Sequence, residues 1–134
     1  MHFQHATSAV RLNQLEAAKS FFAGCLLDRD PALETLFVAH VDRESRCVHV
    51  SQHAGDERGG EFPFREIISD AAFHGSAGIV LAHNHPSGDP TPSDSDCMAT
   101  RRLASAVEAI NCTVLDHLIF AGTECTSLRR IGLL

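Results

Sequence analysis

The chain has 134 residues, 44% hydrophobic and 21% charged, a size and balance that suit one globular domain able to fold without a disulfide or a structural metal. No apolar run approaches the ~20 residues of a membrane span, and the Met1–His5 start lacks the basic patch and apolar core of a signal peptide. A formal net charge of −6, from 17 acidic and 11 basic side chains, repels phosphate backbones and argues against a nucleic-acid binder.

Apolar side chains at Leu15, Ala18, Phe22 and Leu26 recur every three to four residues and predict an amphipathic helix within 8–27, ended by Asp28-Arg29-Asp30-Pro31. Residues 34–41 read as a strand. A turn follows at Asp42–Ser45, and 47–53 alternate Val48 and Val50 with His49 and Ser51 as the second arm of a hairpin. Gly55–Gly60 is a polar loop. Pro63 opens a helix to about His74, with Phe64, Ile67, Ile68 and Ala71 inward and Gly75 as its stop. Gly78–His83 is a short apolar strand, and Asn84–Pro92 is a loop holding three of the five prolines. A third helix starts at Ser93 and runs to about Ile110, with Met98, Leu103, Val107 and Ile110 inward and Asn111 as its C-terminal cap. Strands at Thr113–Leu115, His117–Ala121 and near Thr126–Leu128 complete an α-β-β-α-β-α-β-β-β order. That order predicts an α/β fold, a mixed β-sheet with flanking helices.

Five cysteines, Cys25, Cys47, Cys97, Cys112 and Cys125, are odd in number and form no C-x-x-C pair. Neither a disulfide framework nor a zinc ribbon is indicated, and a reducing cytoplasm is the plain reading. The nine histidines are more informative. His83 and His85 stand at i and i+2 where a buried strand ends, so their side chains share one side of it. Two such imidazoles can grip a zinc ion at ~2.0–2.1 Å each. Asp96 falls in the first turn of the next helix, which a rigid proline-rich loop can bring back over the strand end. Two His and one Asp leave a fourth position for water, the pattern of a catalytic rather than a structural zinc. Glu34, the glutamate that opens the first strand, is the candidate general base. Ser93 is the candidate hydrogen-bond donor to an oxyanion.

Blander readings stand beside these. Ser93 with Asp96 also fits an S-x-x-D capping box, and Glu34 also fits an ordinary solvated strand start. His2, His5, His40, His49, His53 and His74 have no ligand spacing with one another, although His40 lies on the same strand side as Glu34. Cys97 is turned about 100° from Asp96 by the helical step and reads as packing.

The spacing H-x-H-x7-S-x2-D, met by His83, His85, Ser93 and Asp96, resembles the JAMM motif of JAB/MPN zinc metallopeptidases. The surrounding Ala82–Ser93 segment resembles the RadC branch in particular. So do Glu34 with Asp42, Arg65-Glu66-Ile67, Leu115-Asp116-His117-Leu118-Ile119, and the ending Arg129–Leu134. The resemblance implies an MPN, cytidine-deaminase-like α/β fold and one zinc ion per chain held by His83, His85 and Asp96. It also implies that Glu34 activates the water and Ser93 steadies the transition state.

Two departures stand out. Phe64 replaces the family's proline before Arg-Glu, and the stretch before Glu34 is too short for the family's helix-hairpin-helix module. The expectation is therefore a single domain over 1–134, with an N-terminal helix region at 1–30 and no DNA module. It is a cytoplasmic zinc hydrolase of the JAMM type acting on a peptide or isopeptide bond in a peptide or protein substrate, with no DNA or membrane partner. The rivals are a DNA-repair accessory or metal-dependent nuclease, and a non-catalytic MPN scaffold.

Overall fold

The computed structural model describes residues 10–54 and 62–134; the expected Gly55–Gly60 loop and the first residues of the expected 8–27 helix lie outside them. The elements, in chain order, are α1 (Leu15–Leu26), β1 (Thr35–Val41), β2 (Cys47–Ala54), α2 (Phe64–His74), β3 (Gly78–Asn84), α3 (Asp94–Glu108), β4 (Thr113–Ala121) and β5 (Glu124–Ser127). The strands form one five-stranded sheet in the order β2-β1-β3-β4-β5. Only β3 and β4 run parallel, joined through α3, and the remaining neighbours are antiparallel. The expected mixed sheet with flanking helices is therefore present.

The central strands are apolar because both of their faces are covered. Phe37, Ala39, Val41, Val80 and Ala82 pack with Leu12, Ala18, Phe22 and Cys25 on the α1 side. The alternate residues Leu36, Val38, Ile79 and Leu81 pack with Ile67 and Ala71 of α2 and Leu103 and Val107 of α3. Gly78 is tightly packed: an added Cβ would sit 3.1 Å from the side chains of Leu115 and Val41, closer than ordinary contact. Gly75 stops α2 in the left-handed conformation, φ 60°, as its position after His74 predicts.

Four boundaries differ from the sequence reading. The first helix begins at Leu15, because residues 10–12 run beside the β1–β2 turn instead. There, Leu12 N–H donates to Ser45 O at 2.9 Å and Cys47 N–H to Val10 O at 3.2 Å. The two expected strands at 113–115 and 117–121 are one strand, β4, with Leu115 as an extra residue in its pairing: Ile79 faces Val114 and Val80 faces Asp116. Asp116 secures that bulge, accepting from His117 N at 2.7 Å, Arg129 N at 3.1 Å and Ser127 Oγ at 2.6 Å. The last strand sits earlier than expected, at Glu124–Ser127. The inner stripe of α3 is Thr100, Leu103 and Val107, while Met98 is 62% exposed and Ile110 lies past the helix end. Asn111 does take the left-handed conformation, φ 58°.

Candidate metal centre

β3 ends at the rim of the sheet, and the chain leaves it through His85 into the proline-rich loop. That loop holds itself: Gly88, at φ 86°, donates its N–H to His85 O at 3.1 Å, and Thr91 N–H reaches Asp89 Oδ1 at 3.0 Å. It hands the chain to α3 with Ser93 as N-cap. Asp96 N–H donates to Ser93 Oγ at 3.0 Å, and Ser93 N–H donates to Asp96 Oδ2 at 2.9 Å, a complete capping box. The box fixes Asp96 over the strand end. His83 Nε2 lies 3.5 Å from Asp96 Oδ1, and His85 Nε2 lies 3.2 Å from Asp96 Oδ2. One donor atom from each of the three residues falls within 4.8 Å of the other two. Ligands on a tetrahedral ion with ~2.0–2.1 Å bonds stand about 3.3 Å apart, so this spacing suits a small cation.

The hydrogen bonds fix the tautomers. Thr100 Oγ1 donates its one proton to Asp96 O, at 2.7 Å. His117 Nδ1, 2.7 Å from Thr100 Oγ1, must then donate to that hydroxyl oxygen, which leaves His117 Nε2 as an acceptor. His83 Nδ1, 2.7 Å from His117 Nε2, therefore carries the proton. The opposite nitrogen, His83 Nε2, is a bare lone pair, fully buried and without a hydrogen-bond partner. His85 Nδ1 donates to Asp89 O at 2.8 Å, so a neutral His85 also aims a lone pair at the carboxylate. Three electron-rich atoms converging in a partly buried site call for a cation, and the donor set is one that zinc accepts.

Electrostatics agree. Burial pushes the His83 imidazole down to about 4; Asp96 opposes that shift and His85 adds to it. Burial, with His83 beside it, takes His117 down to about 3. Burial alone would raise Asp96, but the Ser93 N–H and the nearby His83 outweigh it and hold the carboxyl below its ordinary range. The His83 and His117 rings therefore stay neutral and the Asp96 carboxylate charged, the states that suit a metal at His83 and Asp96.

The other expected residues fall as follows. Ser93 is exposed; its oxygen accepts from Asp96 N–H in the cap and lies 3.4 Å from Ser95 Oγ. Glu34 is exposed and immediately precedes β1. Leu36 pairs with His83 across the β1–β3 ladder. The ladder ends at that pair, two residues after Glu34. His40 is at the opposite end of β1, bonded to Ser76 Oγ at 2.8 Å and close to the rings of His49 and His74, so it has no place at the cluster. Thr100 and His117 were not anticipated as partners of the site. The i, i+4 step from Asp96 was the one local signal for Thr100.

The sequence profile of the RadC-like JAB domain matches residues 12–133. A UPF0758 protein of Moorella thermoacetica is 51% identical over 70 residues, 52% of this chain and 31% of that protein. UPF0758 protein YfjY of Escherichia coli is 35% identical over 102 residues, 75% of this chain and 64% of that protein. UPF0758 protein YeeS of the same organism is 47% identical over 70 residues, 52% of this chain and 47% of that protein. The chain thus spans between 31% and 64% of the length of these relatives. With the mixed sheet, the flanking helices and the His-His-Asp cluster at the end of β3, the match over 12–133 places the chain in the RadC-like JAB domain family.

Proposed function

We propose that the chain is a zinc-dependent hydrolase of the JAMM type that cleaves a peptide or isopeptide amide bond. The observation that carries this reading is the buried, partnerless lone pair of His83 Nε2 facing His85 and Asp96. His83, His85 and Asp96 would hold one zinc ion per chain, leaving a fourth position. Zinc bound there supplies Lewis acidity toward the amide carbonyl and toward a water molecule. Glu34 takes the proton of the attacking water and passes it to the leaving amine. Ser93 donates its hydroxyl hydrogen to the developing oxyanion. The His117–Thr100 pair holds His83 in the tautomer that ligation needs.

The substrate is a peptide or protein. The net charge of −6 works against a nuclease or DNA-repair accessory, and the presence of every ligand together with Glu34 and Ser93 works against an inert scaffold. Two cores built on a single sheet support one domain. Five free cysteines fit a reducing cytoplasm, and among the described residues no helix is long and apolar enough to cross a membrane.

Metal analysis of the purified protein beside His83→Ala and Glu34→Gln tests the reading, followed by a peptide-library cleavage assay with a chelator control. We expect near one zinc per wild-type chain, little in His83→Ala and full content in Glu34→Gln. Cleavage should be seen only in the wild type and should be abolished by chelator. Equal loss of zinc from both variants would remove Glu34 from the role of base, and a zinc-loaded wild type that cuts no peptide would overturn the hydrolase reading.

A further inference from the structure

Glu34 stands just outside the β1 ladder, where strand ends fray. The β1–β3 register closes at the Leu36–His83 pair. Beyond Asn84 the main chain turns to the other neighbour, His85 N–H donating to Phe120 O at 2.8 Å. The Asn84 side chain spans the gap that this leaves. Its Oδ1 accepts from Thr35 N–H at 2.8 Å, and its Nδ2 donates to Leu33 O at 2.9 Å. Thr35 and Leu33 are the two residues that flank Glu34. One amide thus grips the backbone on both sides of Glu34, and that amide belongs to the residue between His83 and His85.

We infer that Asn84 is the positioning residue for Glu34: it ties the backbone carrying the proposed base to the strand end carrying two proposed metal ligands. This rests on the hydrolase reading for its catalytic meaning, but not for its structural content. His83-Asn84-His85 then works as one unit, the two histidines turned to the metal and the asparagine between them turned to the base. A proton shuttle displaced by an ångström loses much of its rate, so a tether anchored between the ligands keeps base and metal in one frame. An asparagine suits the place because it alone offers a donor and an acceptor at this reach without adding charge beside the metal; aspartate loses the donor, and glutamine adds a methylene.

The test uses the full-length, zinc-loaded protein as wild type, Asn84→Ala and Asn84→Asp, with amide hydrogen exchange, zinc content and cleavage kinetics measured for each. Asn84→Ala should exchange the Thr35 amide at least about tenfold faster, while the Leu81 and Ala82 amides keep their rates. Asn84→Asp, which retains the acceptor, should keep Thr35 protected. Zinc content should stay at the wild-type level in Asn84→Ala. On a peptide that the wild type cleaves, kcat should fall roughly tenfold or more with KM little changed. Unchanged Thr35 exchange in Asn84→Ala overturns the inference whether or not the protein cleaves peptides. If the wild type cleaves and Asn84→Ala cleaves equally fast, the inference also falls while the hydrolase reading stands. If Asn84→Ala does not fold, loss of Thr35 protection in Asn84→Asp overturns it.

Discussion

His117 and Thr100 show what a single side chain contributes when it touches no substrate. His117 is wholly buried, and its two nitrogens are committed to Thr100 and His83. Thr100→Val keeps the shape but leaves a buried N–H without an acceptor. It should cost about 1–3 kcal/mol in a denaturant titration and weaken zinc binding by roughly 10–100-fold in a chelator competition. His40 offers a separate measurement, at the opposite end of β1 from the His83–His85–Asp96 cluster. Burial, with His49, His74 and His53 around it, lowers it to about 3 from an ordinary 6.5. Between those values the unfolded chain binds a proton that the folded chain refuses. Its contribution is therefore complete above about pH 6.5 and declines toward pH 3, with a slope of at most about 1.4 kcal/mol per pH unit. His40→Gln should flatten the stability–pH curve over that window by up to one proton; an unchanged slope would mean that His40 is protonated in the fold. The metal trio was legible in the sequence because its signal is local, two residues apart on a strand and one in a helix's first turn. The Asn84 bridge joins residues 49 and 51 positions apart in the chain and needs the β1–β3 register to become visible.

At the level of elements, the capping box of α3 serves two purposes that the sequence left as alternatives. Asp96 Oδ2 takes the Ser93 N–H, and Oδ1 remains directed at His83. The cap thus engages the oxygen that faces His85 and leaves the other one, facing His83, open to the proposed metal. Ser93→Ala should destabilise the protein by about 1 kcal/mol in chemical denaturation and lower zinc affinity as well, because the carboxylate loses the backbone that holds it. Helix and strand types were readable from apolar spacing and from Gly75, Ser93 and Asn111. The first helix start was not, because residues 10–12 are fixed by the β1–β2 turn and not by their own periodicity. Nor was the outward turn of Met98, since spacing alone does not say which side of α3 meets the sheet.

The molecule as a whole places two apolar cores on opposite faces of one sheet, and neither core contains Asp96 or His85. Removal of the metal should therefore leave the fold standing. Circular dichroism of the chelator-treated protein should retain its helix and strand signal and a cooperative melt. Readdition of zinc at a thousandfold excess over Kd should raise stability by about 4 kcal/mol. A chelated protein without a cooperative transition would mean that the ion is structural. One element of the architecture also bears on how relatives can diverge. Leu115 is the residue by which β4 outruns β3. By plain alternation from Val114, three positions earlier, His117 would fall on the side of the sheet that α1 covers; the bulge absorbs Leu115 and keeps the imidazole across from Leu81, on the side of Thr100 and His83. A one-codon deletion at that point would straighten the ladder and leave the imidazole two positions after Val114, still across from Leu81, so a gap there in a relative is compatible with an intact backing, whereas a one-codon insertion that no bulge absorbs would turn the ring to the far side.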